Sequence, residues 1–397
     1  MSVTFARGFR AAGVTAGMKP SGRPDLGLLV ADESHSAAGL FTTNAFAAAP
    51  VRLSRHRVSR GGGRAVLVNS GQANAGTGLS GDNDAEHSTA AVAELLGIEP
   101  DQVLACSTGV IGEPLHMDQL LAALPGLAGA LSPEGGESFA EAIMTTDTAS
   151  KQAQAERGPY RVGGCAKGVG MIAPDLHLAT MLAFVTTDAP VPPPELRTLA
   201  AEVLEPKFES LTVDGCTSTN DTVLVFASGA AGGDLVLPGT SQWEDVSAAL
   251  EEVGTSLLLQ LAADAEGAGH VVLVEVSGAE SASEARMVAK AVADSLLVKT
   301  AVSGGDPNPG RILQAVGSSG ASFLPQLVDA FIGDVQVIAG GEIPPAYLDA
   351  GQPQARAAVR EREVVIAISV GNGPGNSRAL GVDLSCDYVK INAEYST

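Results

Sequence analysis

Short apolar, β-branched runs alternate with amphipathic stretches and glycine-rich turns along the whole chain. The run AVLVN at 65–69 predicts a buried strand, because a continuous apolar run bounded by a turn suits a strand covered on both faces. The turn that follows is SGQANAGTG. Residues 84–96 predict a helix capped at its end by Gly97. Residues 102–107 predict a second strand running straight into Thr108-Gly109. Residues 117–124 predict a helix that stops before Pro125-Gly126, since proline disfavours helical backbone in the residue before it.

Residues 161–165, 180–187 and 221–227 are strand-like, and 193–204 is helical with prolines at its start. A long helix is expected over 245–265, where apolar residues recur at helical spacing. A strand over 271–276 and a helix over 283–296 follow. Residues 364–370 and 377–389 flank GNGPGN and predict a hairpin. The mixture defines an α/β or α+β chain, with layered sheets covered by helices.

Composition narrows the functional classes. The chain has 397 residues, enough for two domains or one large one, with 45% hydrophobic and 17% charged residues. Its formal net charge of −21 argues against nucleic acid or an anionic membrane as partner, because both need a basic footprint. The N-terminal stretch lacks the apolar core of a signal peptide, and no apolar run is long enough to span a bilayer. The four cysteines form no C-x-x-C pair and are expected to be small buried thiols of a reduced, cytoplasmic protein. The six histidines show no i,i+4 pair, so no metal site is expected. No G-x-S-x-G elbow is present to supply a hydrolase serine.

The segment AKGVGMIAPDLHLATMLAFVTTDA at 166–189 carries the chemistry. Lys167 sits in a glycine-rich turn, and the small residue Ala179 precedes Thr180 and an apolar strand. On composition alone this is a loop leading into a core strand. Its neighbours in sequence change that reading. GFRAAGVTAGMK, VNSGQANAGTG, CSTGVIG, AIMTTDT, CTSTNDT, DAEG, SLLVKTA, GDPNPGR and the terminal YVKINAEYST occur in this order. Together with the 167–189 segment they make the chain resemble the ornithine acetyltransferase family, glutamate N-acetyltransferases of the N-terminal-nucleophile type.

The resemblance implies self-cleavage between Ala179 and Thr180, giving an α segment 1–179 and a β segment 180–397 that begins with the nucleophile Thr180. Thr108 and Gly109 match the family's oxyanion-hole pair. Thr145, Lys167, Thr180, Glu266, Asn392 and Thr397 match its substrate-binding positions. The implied reaction moves acetyl from N-acetylornithine, or a related N-acetyl amino acid, to glutamate, with no cofactor and with acetyl-CoA as a second donor in some relatives. A dimer of cleaved αβ units is the implied assembly.

The residue types suit this chemistry. A threonine hydroxyl needs a base, and cleavage creates a free α-amino group of reference pKa about 7.7–8.0 on the same residue. Three departures from the family pattern concern the pocket. Residues 175–178 carry two extra positions, Pro309 stands where the family has an aromatic residue, and Gly267-Ala268-Gly269-His270 replaces the family's GATK. Two other classes stay open here: an N-terminal-nucleophile aminopeptidase or amidase that passes the acyl group to water, and an unprocessed relative with a binding role.

Overall fold

The computed structural model describes residues 3–33, 36–172 and 181–394. Two compact units divide the chain: Met1–Glu209 with Cys216–Leu261, and Ser210–Gly215 with Ala262–Ser396.

Nine described strands build the first unit. They are β1 (Phe9–Val14), β2 (Leu26–Ala31), β3 (Ser36–Phe41), β4 (Ala65–Gln72), β5 (Val103–Val110), β6 (Lys151–Arg157), β7 (Tyr160–Lys167), β8 (Leu182–Thr187) and β9 (Thr222–Ala227). One sheet has the order β1-β2-β4-β5 and the other β3-β9-β8-β7-β6. Strands β4 and β5 are parallel, as are β8 and β9, and every other pairing in these sheets is antiparallel.

The two sheets share a core. Leu29, Val66, Val68 and Leu104 of the first meet Leu182, Phe184, Leu224 and Phe226 of the second. Phe139 stands edge-on to Phe184 with ring centroids 5.2 Å apart, a favoured aromatic geometry. The outer face of the first sheet is covered by helices Gly78–Leu96 and Met117–Gly129 through Val92, Ala93, Leu120, Leu124 and Leu127. Helix Ser241–Ala263 covers β7 of the second sheet: a Cβ at Gly164 would lie 2.9 Å from Val253 Cγ1, so glycine there permits the close approach. The layers run helix, sheet, sheet, helix, as the expected architecture of sheets covered by helices requires.

The second unit holds one sheet of order β12-β11-β13-β10-β14, from β10 (Val271–Ala279), β11 (Asp329–Ile332), β12 (Val335–Ile338), β13 (Glu363–Ser369) and β14 (Gly375–Val382). Its core joins Val272, Val274 and Ile366 to Val288 and Val292 of helix Ala282–Ala293 and to Ile312 and Val316 of helix Pro309–Gly317.

Several expectations are corrected. GNGPGN does not close a hairpin, because β10 lies between β13 and β14, parallel to one and antiparallel to the other. The loop instead passes over the end of β10, where Gly373 donates to the Gly278 carbonyl at 2.9 Å. A Cβ on Gly278 would lie 2.1 Å from the Gly371 oxygen, so the crossing needs glycine on both backbones. The strand expected to reach residue 389 stops at Val382, and helix Cys386–Glu394 follows.

The helix expected to stop before Pro125 continues to Gly129, because Leu120, Leu124 and Leu127 keep one face buried across the proline. The helix expected from 84 begins at Gly78, its first turn held by Asn74 Nδ2 donating to the Gly81 carbonyl at 2.9 Å. The helix expected over 283–296 ends at Ala293, and the Ser295 side chain caps a new one, Leu296–Ser303. Cys106 and Cys165 are buried, but Cys216 and Cys386 are exposed. Cys216 follows the bend at 213–215 and Cys386 opens helix Cys386–Glu394, both at exposed positions. Among the described residues no helix is long and apolar enough to cross a membrane.

Candidate active site

The sheet of β3-β9-β8-β7-β6 brings the motif residues of the first unit together. β7 ends at Lys167, whose register partner in β8 is Leu182, and Leu182 pairs on its other side with Thr222 of β9. Residue 181 therefore enters the sheet between Lys167 and the start of β9. The Met181 amide donates to Asp221 Oδ1 at 3.1 Å, and its carbonyl accepts from the Thr222 amide at 3.1 Å. Thr180, which precedes Met181 directly in the chain, lies outside the described residues. So do Ala179 and Thr397.

Lys167 is 2% exposed. Burying an ammonium group is costly unless polar partners replace its water. Its Nζ donates to Thr145 Oγ1 at 2.8 Å and to Thr108 Oγ1 at 3.2 Å. Two of the expected positions, one from the oxyanion pair and one from the substrate set, thus share a single cation. Thr108 is fully buried near the end of β5. Gly109 follows it at φ +132°, opposite Gly71 of β4. A Cβ at Gly109 would lie 2.3 Å from the Gly71 backbone, so the close strand contact beside Thr108 requires glycine.

Asp147, inside AIMTTDT, is the organising carboxylate that the sequence reading did not single out. It pairs with Lys151 Nζ at 2.7 Å, stands 3.9 Å from Lys167 Nζ, and accepts from the amides of Gly168 at 2.9 Å and Thr145 at 3.0 Å. Burial alone would raise its pKa, but the charges of Lys167 and Lys151 with these hydrogen bonds hold it at about 2.

Asp221, inside CTSTNDT, behaves oppositely. Burial pushes its carboxyl well above the usual range, against the opposing pull of the Met181 amide and the Thr42 and Ser218 hydroxyls. Beside it, Asn220 Nδ2 donates to the carbonyls of Ala73 at 2.6 Å and Ser107 at 2.8 Å, tying the start of β9 to the residue before Thr108. Lys19, from the first motif, donates to the carbonyls of Pro24 and Met144 at 2.7 and 2.6 Å. Its pKa falls to about 8, chiefly through burial, with the Lys167 charge contributing. The motifs contained Asp147, Asn220, Asp221 and Lys19, but only tertiary placement marks them as neighbours of the site.

The remaining expected residues are in the second unit. Glu266 Oε2 accepts from Asn392 Nδ2 at 3.0 Å. Among the described residues, Thr108, Gly109, Thr145 and Lys167 thus form one group, and Glu266 with Asn392 another. Pro309 opens helix Pro309–Gly317 at N1, behind Asn308 at φ +36°.

A helix–sheet–sheet–helix sandwich thus holds a buried cation shared by two hydroxyls at a strand end, an arrangement of fixed donors suited to stabilising developing negative charge. The ArgJ family model matches residues 10–397. An "Arginine biosynthesis bifunctional protein ArgJ" of Symbiobacterium thermophilum is 46% identical, covering 100% of this chain and 98% of the relative. One of the same name from Thermobifida fusca is 42% identical, with 100% of each chain covered. The solved ornithine acetyltransferase of Mycobacterium tuberculosis, complexed with ornithine, is 41% identical over 44% of this chain and 95% of its own, with a TM-score of 0.41. The chain belongs to the ArgJ family, and it is a transferase of amino-acid biosynthesis.

Proposed function

We propose that the chain cuts itself between Ala179 and Thr180, giving segments 1–179 and 180–397, and then transfers acetyl through Thr180. In this reading the Thr180 hydroxyl attacks the acetyl carbonyl of N-acetylornithine while its own α-amino group takes the proton. The C–N bond breaks, ornithine leaves with that proton, and acetyl-Thr180 remains. The glutamate α-amine then attacks the ester, and the threonine oxygen recovers a proton as N-acetylglutamate departs. Thr108 and Gly109 stabilise the oxyanion of each tetrahedral intermediate. Thr145, Lys167, Glu266, Asn392 and Thr397 bind the amino-acid portions. Acetyl-CoA is a second acetyl donor for the same threonine, and the mature assembly is a dimer of cleaved αβ units.

The observation that supports this reading best is the Lys167 ammonium held between Thr108 Oγ1 and Thr145 Oγ1, next to the β8 start that Met181 enters. A fixed cation and hydroxyls beside a strand end are donors that need no reorganisation when negative charge develops.

Thr180→Ala tests it. The variant should fold, because the apolar strand Leu182–Thr187 is untouched. It should run as one full-length band and transfer no acetyl. Thr180→Ser should cleave and turn over more slowly, having lost the methyl that restricts χ1. Cleavage before residue 180 in the alanine variant, or transfer at the parent rate, would overturn the proposal. Acetate in place of N-acetylglutamate would identify a hydrolase instead.

A further inference from the structure

His270 stands in a closed circuit of hydrogen bonds that ends on Glu266 and Asn392. Asp383, buried after β14, accepts at Oδ1 from the amides of Gly269 and His270 at 2.7 and 2.8 Å. Its Oδ2 is 3.2 Å from His270 Nδ1, and its own amide donates to the His270 carbonyl at 3.2 Å. Two residues on, Ser385 Oγ donates to the Gly267 carbonyl at 2.6 Å and accepts from the amides of Asp387 and Tyr388, which open helix Cys386–Glu394. That helix carries Asn392 back to Glu266 at 3.0 Å. The 266–270 turn and the helix meet backbone to backbone: a Cβ at Gly267, where φ is +65°, would lie 2.3 Å from the Tyr388 nitrogen.

Each link has a physical consequence. A buried carboxylate with three donors fixes both the loop it accepts from and the chain that follows it. Among the described residues, the imidazole is the side chain of the turn that reaches Asp383, and the turn's other donors to it are backbone amides. Removing it leaves Asp383 Oδ2 without its side-chain donor, and a buried acceptor left unmade costs more than the bond itself contributes. The turn and the helix then lose part of their mutual register, and the Glu266–Asn392 pair at the far side of the circuit shifts with them.

We infer that His270 is a specificity-determining positioning residue, which through Asp383 sets the geometry in which Glu266 and Asn392 receive the ammonium-bearing end of an amino-acid substrate. The inference rests on the reading of Glu266 and Asn392 as substrate-binding residues. His270 acts through Asp383 and does not touch the reacting atoms, so its loss should act on substrate binding and leave acetyl-enzyme formation at saturating donor intact.

Three variants of the full self-processing chain, His270→Ala, His270→Asn and Glu266→Gln, are compared in steady-state assays with N-acetylornithine and glutamate. Glu266→Gln should raise the amino-acid KM tenfold or more, since a neutral amide cannot offer the substrate ammonium a charge-assisted hydrogen bond. His270→Ala should raise the same KM severalfold with kcat within twofold, and His270→Asn, which keeps an N–H donor for Asp383 Oδ2, should recover most of the loss. Equal falls in kcat and kcat/KM for His270→Ala, or no recovery by asparagine, would overturn the inference while Glu266→Gln still behaved as expected. An unchanged KM in Glu266→Gln would overturn the underlying reading of Glu266 instead.

Discussion

A lysine 2% exposed can stay charged only if its neighbours replace the water it has lost. For Lys167 the replacement is two threonine hydroxyls and the nearby Asp147 carboxylate. Asp147 in turn has a folded pKa of about 2 against an ordinary 3.8. A carboxylate whose pKa is depressed on folding adds stability that is full above its unfolded pKa and lost as pH falls through the folded one. Lys167→Met removes one of the two cations responsible, so the folded pKa of Asp147 rises toward 3.8. Acid unfolding, followed by circular dichroism, should then have its midpoint at higher pH than the parent. An unchanged midpoint would mean that Asp147 does not feel the lysine. Lys167 was legible in the sequence because its glycine-rich turn belongs to a recognisable motif. Asp147 and Asp221 were not, since a carboxylate's role depends on which charges and amides the fold brings to it.

Elements were read well where periodicity alone decides them, and less well where tertiary contacts override a local rule. β4, β7 and β9 match the apolar runs that predicted them to within a few residues. Pro125 shows the other case. A proline should end its helix, yet the buried stripe Leu120, Leu124 and Leu127 carries the helix past it. The proline still lacks an amide and crowds the preceding turn. Pro125→Ala should therefore stabilise the protein, by about 1 kcal/mol or more given an intrinsic difference of about 3 kcal/mol in a helix interior. The expected result is a higher urea midpoint with an unchanged m-value. A lower midpoint would show that the ring contributes packing the helix needs. GNGPGN is a failure of pairing rather than of strand recognition. Both flanking strands are present, but adjacency in sequence did not reveal that β10 comes between them.

At the scale of the molecule, the 179/180 boundary falls between two neighbours of one sheet. In the order β3-β9-β8-β7-β6, strands β3, β6 and β7 precede the boundary and β8 and β9 follow it. β7 pairs with β8, and β3 with β9, each over six register positions. Parting the two segments would break both ladders and open a core that includes Phe184, Leu224 and Phe226. Cleaved protein should therefore elute from a sizing column as one species in native buffer and resolve into two polypeptides only in denaturant. Separation in native buffer would contradict this pairing.

Under the proposed cleavage, the same interleaving gives the molecule a direction in time. Before the cut, every strand of that sheet lies on one thread, and folding is a unimolecular search. After the cut, a denatured molecule is two threads that must find each other in solution, so the yield of recovery should rise with protein concentration. The peptide bond that was lost cannot be restored by cooling or by removing urea. An uncut variant such as Thr180→Ala should refold with a yield independent of concentration, and the cut parent should not. Maturation would thus be a one-way step, and a single chance at assembly belongs to the precursor.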